Sequence, residues 1–306
     1  MKVFYAELTA NPAYYSFGYS VYGELEPGDR VPEMYERGFL PAIVAREQSE
    51  NLMYMARGVR VRVQEFEVRH YHNRVKRKVE EVIPGGVDAS VVSKEEHTNL
   101  EEVFQFCLSY FAFRFGKEAM SEERLRAIFA SPFLTHIVEY RTGGEVLGYS
   151  LEAHHDGMVH VWHQAYARAY ARTHLGIYLY IELLERSKKA GVAFLYFGVT
   201  YGSWMNYKTN FQPLEYFNGK EWVHDVHSEK LKALFALDTT RLIGFVDEWR
   251  AQQKPYYAAS YPFTSKLAEV RYLSVLARLF PRVIGAYLLL VALLLWLVLL
   301  LVFFVR

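Results

Sequence analysis

An uncharged apolar segment near the end of the sequence constrains the fold of this chain more than any other feature. Residues 283–305 read VIGAYLLLVALLLWLVLLLVFFV and contain no Asp, Glu, Lys or Arg. At about 1.5 Å per residue, a helix of this length covers the roughly 30 Å hydrocarbon core of a bilayer. Core helices of globular proteins seldom carry leucine on every face over so many turns. The segment therefore predicts a single transmembrane helix from Val283 to Val305.

Charged residues beside this segment predict its orientation. Its N-terminal flank carries four basic residues, Lys266, Arg271, Arg278 and Arg282, whereas Arg306 alone lies beyond it. Basic residues next to a span stay on the cytoplasmic side, so we expect a single-pass C-terminal anchor with a cytoplasmic body. The N-terminus has no apolar signal-peptide core. The single cysteine, Cys107, excludes an internal disulfide.

The body divides at a cluster of turn residues, Ile83-Pro84-Gly85-Gly86. We expect three parts before the transmembrane helix: a small N-terminal α+β portion, a larger domain and a juxtamembrane linker, at residues 1–90, 91–253 and 254–282. The net charge of +1 gives the chain no overall attraction for nucleic acid. Basic residues crowd residues 57–78, however. This stretch is suited to binding RNA or anionic lipid headgroups, and an ordinary solvated surface explains it equally well.

Periodicity predicts the elements of the body. In the N-terminal portion we expect a short helix near 32–37 and an alternating strand over 59–68. In the larger domain the predicted order is two helices, three strands, one helix and one strand, at residues 99–115, 121–129, 135–140, 145–153, 158–164, 176–190 and 192–199. This order predicts an α+β fold with a mixed sheet and suits the GNAT acyltransferase fold.

The most distinctive segment of the sequence runs from Phe194 to Trp222 and reads FLYFGVTYGSWMNYKTNFQPLEYFNGKEW. It resembles the C-terminal domain of the arginyl-tRNA–protein and leucyl-tRNA–protein transferases of the N-end rule pathway. Their motif runs approximately YLGYWI, a short insert, KMxYKxxFxPLE, a glycine turn and a tryptophan. The matching residues here are Tyr196, Gly198, Met205, Tyr207, Lys208, Phe211, Pro213, Leu214, Glu215, Gly219 and Trp222. Altogether the resemblance covers about residues 15–225 and is strong only after about residue 100.

This resemblance implies an enzyme that moves an amino acid from an aminoacyl-tRNA to an amine acceptor. The amine attacks the ester carbonyl, so the protein must orient two substrates, remove a proton and stabilise an oxyanion. No covalent intermediate is needed, which agrees with the lack of a nucleophile–base motif. We expect no cofactor, with aminoacyl-tRNA as the co-substrate.

Three motif residues are candidate catalytic residues. We expect Lys208 to stabilise the oxyanion or to contact the terminal phosphate and ribose of the tRNA. We expect Tyr207 to stack on the terminal adenosine or to form a hydrogen bond with it. We expect Glu215 to bind the acceptor amine. Each has an ordinary alternative, as a core aromatic or a member of a surface ion pair. The candidate substrate-binding residues are Trp162, Gln164, His160, His163, Gly176, Tyr178, Gly198, Met205 and Asn206.

Two departures from the family pattern bear on cofactor and donor. The family's clustered cysteines, which bind an iron–sulfur cluster or metal, are missing from the corresponding residues 51–57, NLMYMAR. The family's donor-site strand, YTFYDP, reads WHQAYA at 162–167, with Tyr166 in place of the acid. We therefore expect no bound cluster, and no counter-charge there for a cationic arginyl donor.

Five histidines lie between His154 and His174, and histidine is a common metal ligand. Strict strand alternation places His160 and His163 on opposite faces. We therefore expect no metal site. The same alternation places His160 on one face with Trp162 and Gln164, where we expect it to line the pocket.

Two other interpretations stay open. An acyl-CoA-dependent GNAT N-acyltransferase would bind the pyrophosphate on a glycine-rich loop ahead of the long helix, but residues 172–177, RTHLGI, contain one glycine. A catalytically inactive, membrane-tethered binding protein would also explain the missing acid and cysteines. In either active form, the helix at 283–305 directs the expected acceptor to the membrane, as a lipid amine or as a peptide or protein held there.

Overall fold

The computed structural model describes residues 1–6, 20–42, 51–56, 58–116, 120–200, 203–224 and 227–233. The predicted linker over 254–282 and the predicted transmembrane helix over 283–305 lie outside these ranges. Among the helices in these ranges, none has the length and hydrophobicity that a membrane span requires.

A small antiparallel sheet forms first along the chain. Its strand order is β1-β2-β4-β3, with β1 at Lys2–Ala6, β2 at Ser20–Glu24, β3 at Phe39–Pro41 and β4 at Leu52–Met55. Helix α1 (Val31–Glu36) lies between β2 and β3, and Pro32 occupies its first turn, where a missing N–H costs nothing. The short helix expected near 32–37 is confirmed. Two of its side chains, Met34 and Tyr35, are buried.

The larger sheet has eight strands in the order β12-β11-β5-β10-β9-β8-β7-β6. These strands are β5 (Gly58–Arg62), β6 (Asp88–Ser93), β7 (His136–Thr142), β8 (Glu145–His155), β9 (Met158–Tyr166), β10 (Phe194–Val199), β11 (Leu214–Phe217) and β12 (Trp222–Val223). Neighbouring strands are antiparallel except β9 and β10, which are parallel. The predicted α+β class with a mixed sheet is confirmed, and so is the meander formed by β7, β8 and β9.

Strand β5 comes from the N-terminal part of the chain but lies in this sheet between two strands from much later in the sequence. The strand expected over 59–68 ends at Arg62, where a 3-10 turn over Val63–Glu65 begins. β5 pairs with β10 on one side and with β11 on the other. The predicted domain boundary at residue 90 therefore falls inside the sheet, since residues 58–62 supply one of its interior strands.

Helices cover both faces of the large sheet. They are α2 (His70–Val82), α3 (Leu100–Phe115), α4 (Glu122–Ala130) and α5 (Leu175–Lys189). α4 begins at the predicted N-cap, because Ser121 Oγ accepts a hydrogen bond from the Arg124 amide at 3.1 Å. Apolar residues of α2 and α5 pack on one face, against Val159 and Val161 of β9. α3 and α4 pack on the other face, which β9 reaches through Ala165.

The small sheet packs on the face that also holds α3 and α4. Tyr35 of α1 lies in one buried cluster with Met158 of β9 and Tyr196 of β10. Gly38 fixes another contact between the two sheets, since its backbone has φ +81 and faces the buried ring of Phe217. The N-terminal elements therefore cover the strands that carry the candidate site residues.

We expect Gly38→Ala to lower the free energy of unfolding by about 2–4 kcal/mol. A methyl group there would overlap the ring of Phe217 and would also occupy the left-handed region. The control is Gly144→Ala, which has φ +89 but no atom within 4 Å of the added carbon. Its expected loss is about 1–2 kcal/mol from backbone strain alone. Urea denaturation measures both, and equal losses would show that Phe217 moves aside freely.

Candidate functional site

The parallel strands β9 and β10 separate at their C-terminal ends. Three residue pairs hold them together, of which Tyr196–His160 is the last. β9 then continues beside β8 as far as Tyr166, while β10 continues beside β5 to Val199. Main-chain carbonyls on the inner edges of such an opening need other hydrogen-bond donors. We call this feature the sheet opening, and the candidate site is built around it.

Lys208 closes the sheet opening on the side of β10. Its Nζ donates to the carbonyl of Phe197 at 2.6 Å and to that of Val199 at 2.7 Å. These carbonyls flank Gly198, which has φ +71, a backbone conformation that favours glycine. Lys208 is only 3% exposed. The predicted catalytic lysine is therefore internal and held at the point where β10 leaves β9.

Burial governs the charge of Lys208. Removal of the ammonium from water lowers the pKa of Lys208 to about 7. Its charged and neutral forms are thus both populated near neutral pH. A group in this state can take up and release a proton during a reaction, which is what general acid–base catalysis requires.

His160 lies beside Lys208 in the same opening. Its Nδ1 is 3.0 Å from the hydroxyl of Tyr35, and its Nε2 faces Gly198, where an added Cβ would lie 3.6 Å away. His160 is 3% exposed. Burial, together with the nearby charges of His163 and Lys208, lowers the pKa of His160 to about 3. The imidazole is therefore neutral at physiological pH.

A bulge in β9 changes which residues share a face. The pairs Leu151–His163 and Glu152–Val161 enclose one extra residue, Trp162. His163 consequently packs against Phe111 of α3, with ring centroids 5.1 Å apart, on the face that also holds His160. The prediction that His160 and His163 lie on opposite faces is wrong for this reason.

The same bulge separates Gln164 from His160. Gln164 pairs with Ser150 of β8, which pairs in turn with Val138, a residue of the face covered by α5. Among the described residues, both amide atoms of Gln164 lack a hydrogen-bond partner. No group of three or more His, Cys, Asp or Glu side chains in the described part of the chain is arranged to hold a metal.

Tyr207 and its neighbours lie on the α5 side of the sheet opening. They belong to a 3-10 helix over Ser203–Asn210. The Tyr207 hydroxyl is 3.3 Å from that of Tyr180 on α5, and Met205 packs into the same apolar cluster. The Asn206 carbonyl accepts a hydrogen bond from the Thr209 hydroxyl at 2.8 Å.

The beginning of α5 packs closely on the end of β9. A Cβ added to Gly176 would lie 2.9 Å from the ring of Tyr166, so glycine permits this approach. Tyr178, two residues later, is half-buried, and burial raises the pKa of its hydroxyl. Exposed Arg168 and Arg172 lie in the loop that leads into this helix.

Glu215 lies away from the sheet opening. It is fully buried on β11, and β5 separates β11 from β10. Its carboxylate is 2.7 Å from Arg60 Nε, 2.9 Å from Arg62 Nε and 2.6 Å from His224 Nδ1. The structure thus groups Lys208, Gly198, His160 and His163, whereas it places Glu215 in a separate ion-pair cluster. Its role at the acceptor amine stays a prediction.

Sequence reasoning did not identify Tyr35 or Tyr180 as neighbours of the site. Tyr35 is 125 residues from its partner His160 and lies on helix α1, next to the small sheet. Helical spacing on α1 marks Tyr35 as a core residue and nothing more. Tyr180 follows the predicted Tyr178 by two positions. Nothing in the local sequence indicates that its side chain contacts Tyr207.

Residues 67–209 match the family model of the acetyltransferase (GNAT) domain. The matched range runs from just before α2 to just after Lys208, and so includes β9, β10 and the sheet opening. This part of the chain is therefore similar to the GNAT acetyltransferase domain, and its fold is α+β and GNAT-like. The family match covers just under half of the 306 residues.

One curated protein and two solved structures are among those similar to this chain. An aspartate/glutamate leucyltransferase of Rhizorhabdus wittichii is 32% identical over 101 residues, which are 30% of this chain and 38% of that protein. The C-terminal DUF2156 domain of an Agrobacterium fabrum chain assigned as a lysylphosphatidylglycerol synthetase has a TM-score of 0.38 at 11% identity, over 49% of this chain and 47% of that one. L-PGS from Bacillus licheniformis has a TM-score of 0.34 at 14% identity, over 47% and 44%. The chain thus spans less than half the length of these relatives.

We expect Glu215→Gln to lower the free energy of unfolding by about 3–5 kcal/mol, because it leaves the buried guanidinium of Arg60 with less compensating charge. The matched control, Glu122→Gln, breaks an exposed pair with Arg126 at 2.8 Å and should cost less than about 1 kcal/mol. Urea denaturation compares the two variants. A Glu215→Gln variant as stable as the control would mean that the ion-pair cluster is not structural and would favour a role in amine binding.

Proposed function

We propose that this protein is an aminoacyltransferase that moves an amino acid from aminoacyl-tRNA to an amine acceptor, with Lys208 as its general acid–base group. The observation that carries this proposal is the position of Lys208. A buried lysine at a sheet opening, held by two main-chain carbonyls and with its pKa lowered to about 7, is suited to proton transfer.

The reaction joins the acceptor nitrogen to the ester carbonyl carbon. A C–N bond forms, the ester C–O bond to the ribose breaks, and one proton passes from the amine to the ribose oxygen. Neutral Lys208 has two N–H groups, which match the carbonyls of Phe197 and Val199, and a lone pair that remains to accept the amine proton. The resulting ammonium then returns a proton to the leaving oxygen, as microscopic reversal of its first role allows.

Three observations support an aminoacyl donor. The segment from Phe194 to Trp222 resembles the aminoacyl-tRNA–protein transferases. One protein similar to this chain is an aspartate/glutamate leucyltransferase. The loop ahead of α5 contains one glycine, which is a poor match to the glycine-rich pyrophosphate loop of acyl-CoA donors.

Basic side chains near the start of α5 support a polyanionic donor. Arg74, Arg77 and Lys78 on α2 are exposed, as are Arg168 and Arg172 in the loop before α5. Lys78 reaches His174 at the start of α5, at 3.4 Å between Nζ and Nε2. Phosphates bound to such side chains would add affinity that falls as salt rises.

The second candidate function is N-acyl transfer from acyl-CoA. The observation that favours it is the match of residues 67–209 to the acetyltransferase family model. The same lysine would serve that reaction, since it too removes a proton from an attacking amine. Donor identity is therefore what an experiment must decide.

We expect Lys208→Met to lower transfer from aminoacyl-tRNA about 10²–10⁴-fold, the range that general acid–base groups contribute. The assay incubates the 306-residue protein with radiolabelled aminoacyl-tRNAs or acyl-CoAs and with peptide or amino-lipid acceptors. The wild-type rate should rise with pH through about 7, as Lys208 becomes neutral, and the variant should lose this rise.

The matched control is Lys188→Met, which removes a lysine that likewise donates to a main-chain carbonyl, Phe66 O at 2.7 Å, but lies near the C-terminal end of α5. Its transfer rate should stay within about twofold of wild type. Label transfer from acyl-CoA alone would favour the second candidate. A folded protein that transfers from neither donor would contradict both and leave a binding protein.

We further propose that residues 283–305 anchor the protein with its body on the cytoplasmic side. The support is the uncharged apolar sequence and the basic flank at Lys266, Arg271, Arg278 and Arg282. The acceptor would then be an amine at the membrane, either a lipid or a peptide or protein held there.

We expect the 306-residue protein to stay with membranes after alkaline carbonate washing, and a variant without residues 283–306 to be released. Replacement of 283–305 by an equally long polyleucine segment serves as the control and should retain the protein, since length and hydrophobicity decide insertion. Release of the full chain by carbonate would contradict a transmembrane anchor.

A further inference from the structure

Tyr35 and His160 form a buried hydrogen-bonded pair between the two sheets. The Tyr35 hydroxyl is 3.0 Å from His160 Nδ1, and the rings meet edge to face with centroids 5.5 Å apart. Tyr35 is fully buried, so water does not reach its hydroxyl. In the part of the chain that the structure describes, this hydroxyl has no second hydrogen-bond partner.

These facts decide which atom donates. If His160 carried its proton on Nδ1 and donated it to Tyr35, the tyrosine O–H would point into the core with no acceptor. A buried donor left without a partner costs about 1–3 kcal/mol. When Tyr35 donates to Nδ1, both groups are satisfied at that bond. The proton of the neutral imidazole then lies on Nε2.

The Nε2 atom faces the sheet opening. A Cβ at position 198 would lie 3.6 Å from Nε2, and glycine leaves that volume free of a side chain. Gly198 is also the residue whose flanking carbonyls bind Lys208. The Nε2–H donor and the proton-carrying amine thus both lie next to one backbone position, Gly198.

We propose that Tyr35 is a positioning residue that fixes His160 as its Nε2–H tautomer, and that His160 donates this N–H to the oxyanion formed when the acceptor amine attacks the donor carbonyl. This inference rests on the proposed transfer reaction. It gives the two groups separate tasks: Lys208 carries the proton, while His160 stabilises charge and does not change its own protonation.

The environment suits a neutral donor. The positive charge of Lys208 and the burial of the ring both disfavour an imidazolium at His160. His160 therefore stays neutral in either protonation state of Lys208. A preorganised N–H donor in a water-poor site is worth about 10²–10³ in rate when it meets a developing oxyanion.

Nitrogen NMR of the histidine rings tests the tautomer without any need for activity. In the ¹⁵N-labelled 306-residue protein, with His160→Gln used to assign the signals, we expect unprotonated Nδ1 and protonated Nε2 at His160. In Tyr35→Phe we expect a mixture of tautomers. Protonated Nδ1 in the wild type, or an unchanged ring in Tyr35→Phe, would overturn the positioning role.

Kinetics test the oxyanion role. His160→Ala should lower kcat about 10²-fold, whereas His160→Gln should restore about tenfold of that loss, because the glutamine amide nitrogen can reach the place of Nε2. Tyr35→Phe should lower kcat about tenfold with KM unchanged, and should have no further effect in a His160→Gln background.

Tyr140→Phe is the control for loss of a buried tyrosine hydroxyl. Tyr140 is fully buried on the opposite face of the large sheet and should leave kcat within about twofold of wild type. An unchanged kcat in Tyr35→Phe, or Gln no better than Ala at 160, would overturn the donor role. If the wild type transfers from no donor, the transfer reaction fails and the oxyanion role fails with it, while the NMR result still decides the role of Tyr35.

Discussion

The two hydrogen bonds from Lys208 to the carbonyls of Phe197 and Val199 hold together the part of the structure on which the site depends. Parallel strands that separate leave carbonyls without ladder partners, and each must find a donor. A lysine meets this need with one atom, because Nζ reaches both carbonyls across Gly198. The burial that this geometry demands is also what brings the lysine near neutrality. The buried position of Lys208 thus accounts both for its hydrogen bonds at the end of β10 and for its lowered pKa.

The N-terminal elements pack against the same strands, on the face that also holds α3 and α4. Tyr35 reaches His160, and the bulge at Trp162 brings His163 to the same face. Further along the large sheet, Glu215 compensates Arg60 and Arg62 and so permits charged residues on an interior strand. The small sheet and the large sheet therefore share one interface of polar and aromatic side chains.

Local periodicity predicts most helices and strands of the larger domain because amphipathic spacing reports which face is buried. The helix over Leu100–Phe115, the Ser121 cap and the meander follow from it. The motif around Lys208 marks the site, but the sequence does not reveal that this lysine is internal. The bulge at Trp162 has no local signal, since one added residue inverts alternation without changing composition. Contacts such as Tyr35–His160 and Arg60–Glu215 join distant segments, and pattern analysis has no access to them.

The insertion of β5 between β10 and β11 has a consequence for biosynthesis. Arg60 and its partner Glu215 are 155 residues apart, so β5 leaves the ribosome long before either neighbouring strand exists. Closing such long loops is slow, and nascent strands with unpaired edges tend to associate with other chains. The large sheet can therefore be completed only when translation has passed β11. Until that late stage, we expect the unpaired edges of β5 to need protection from association with other chains.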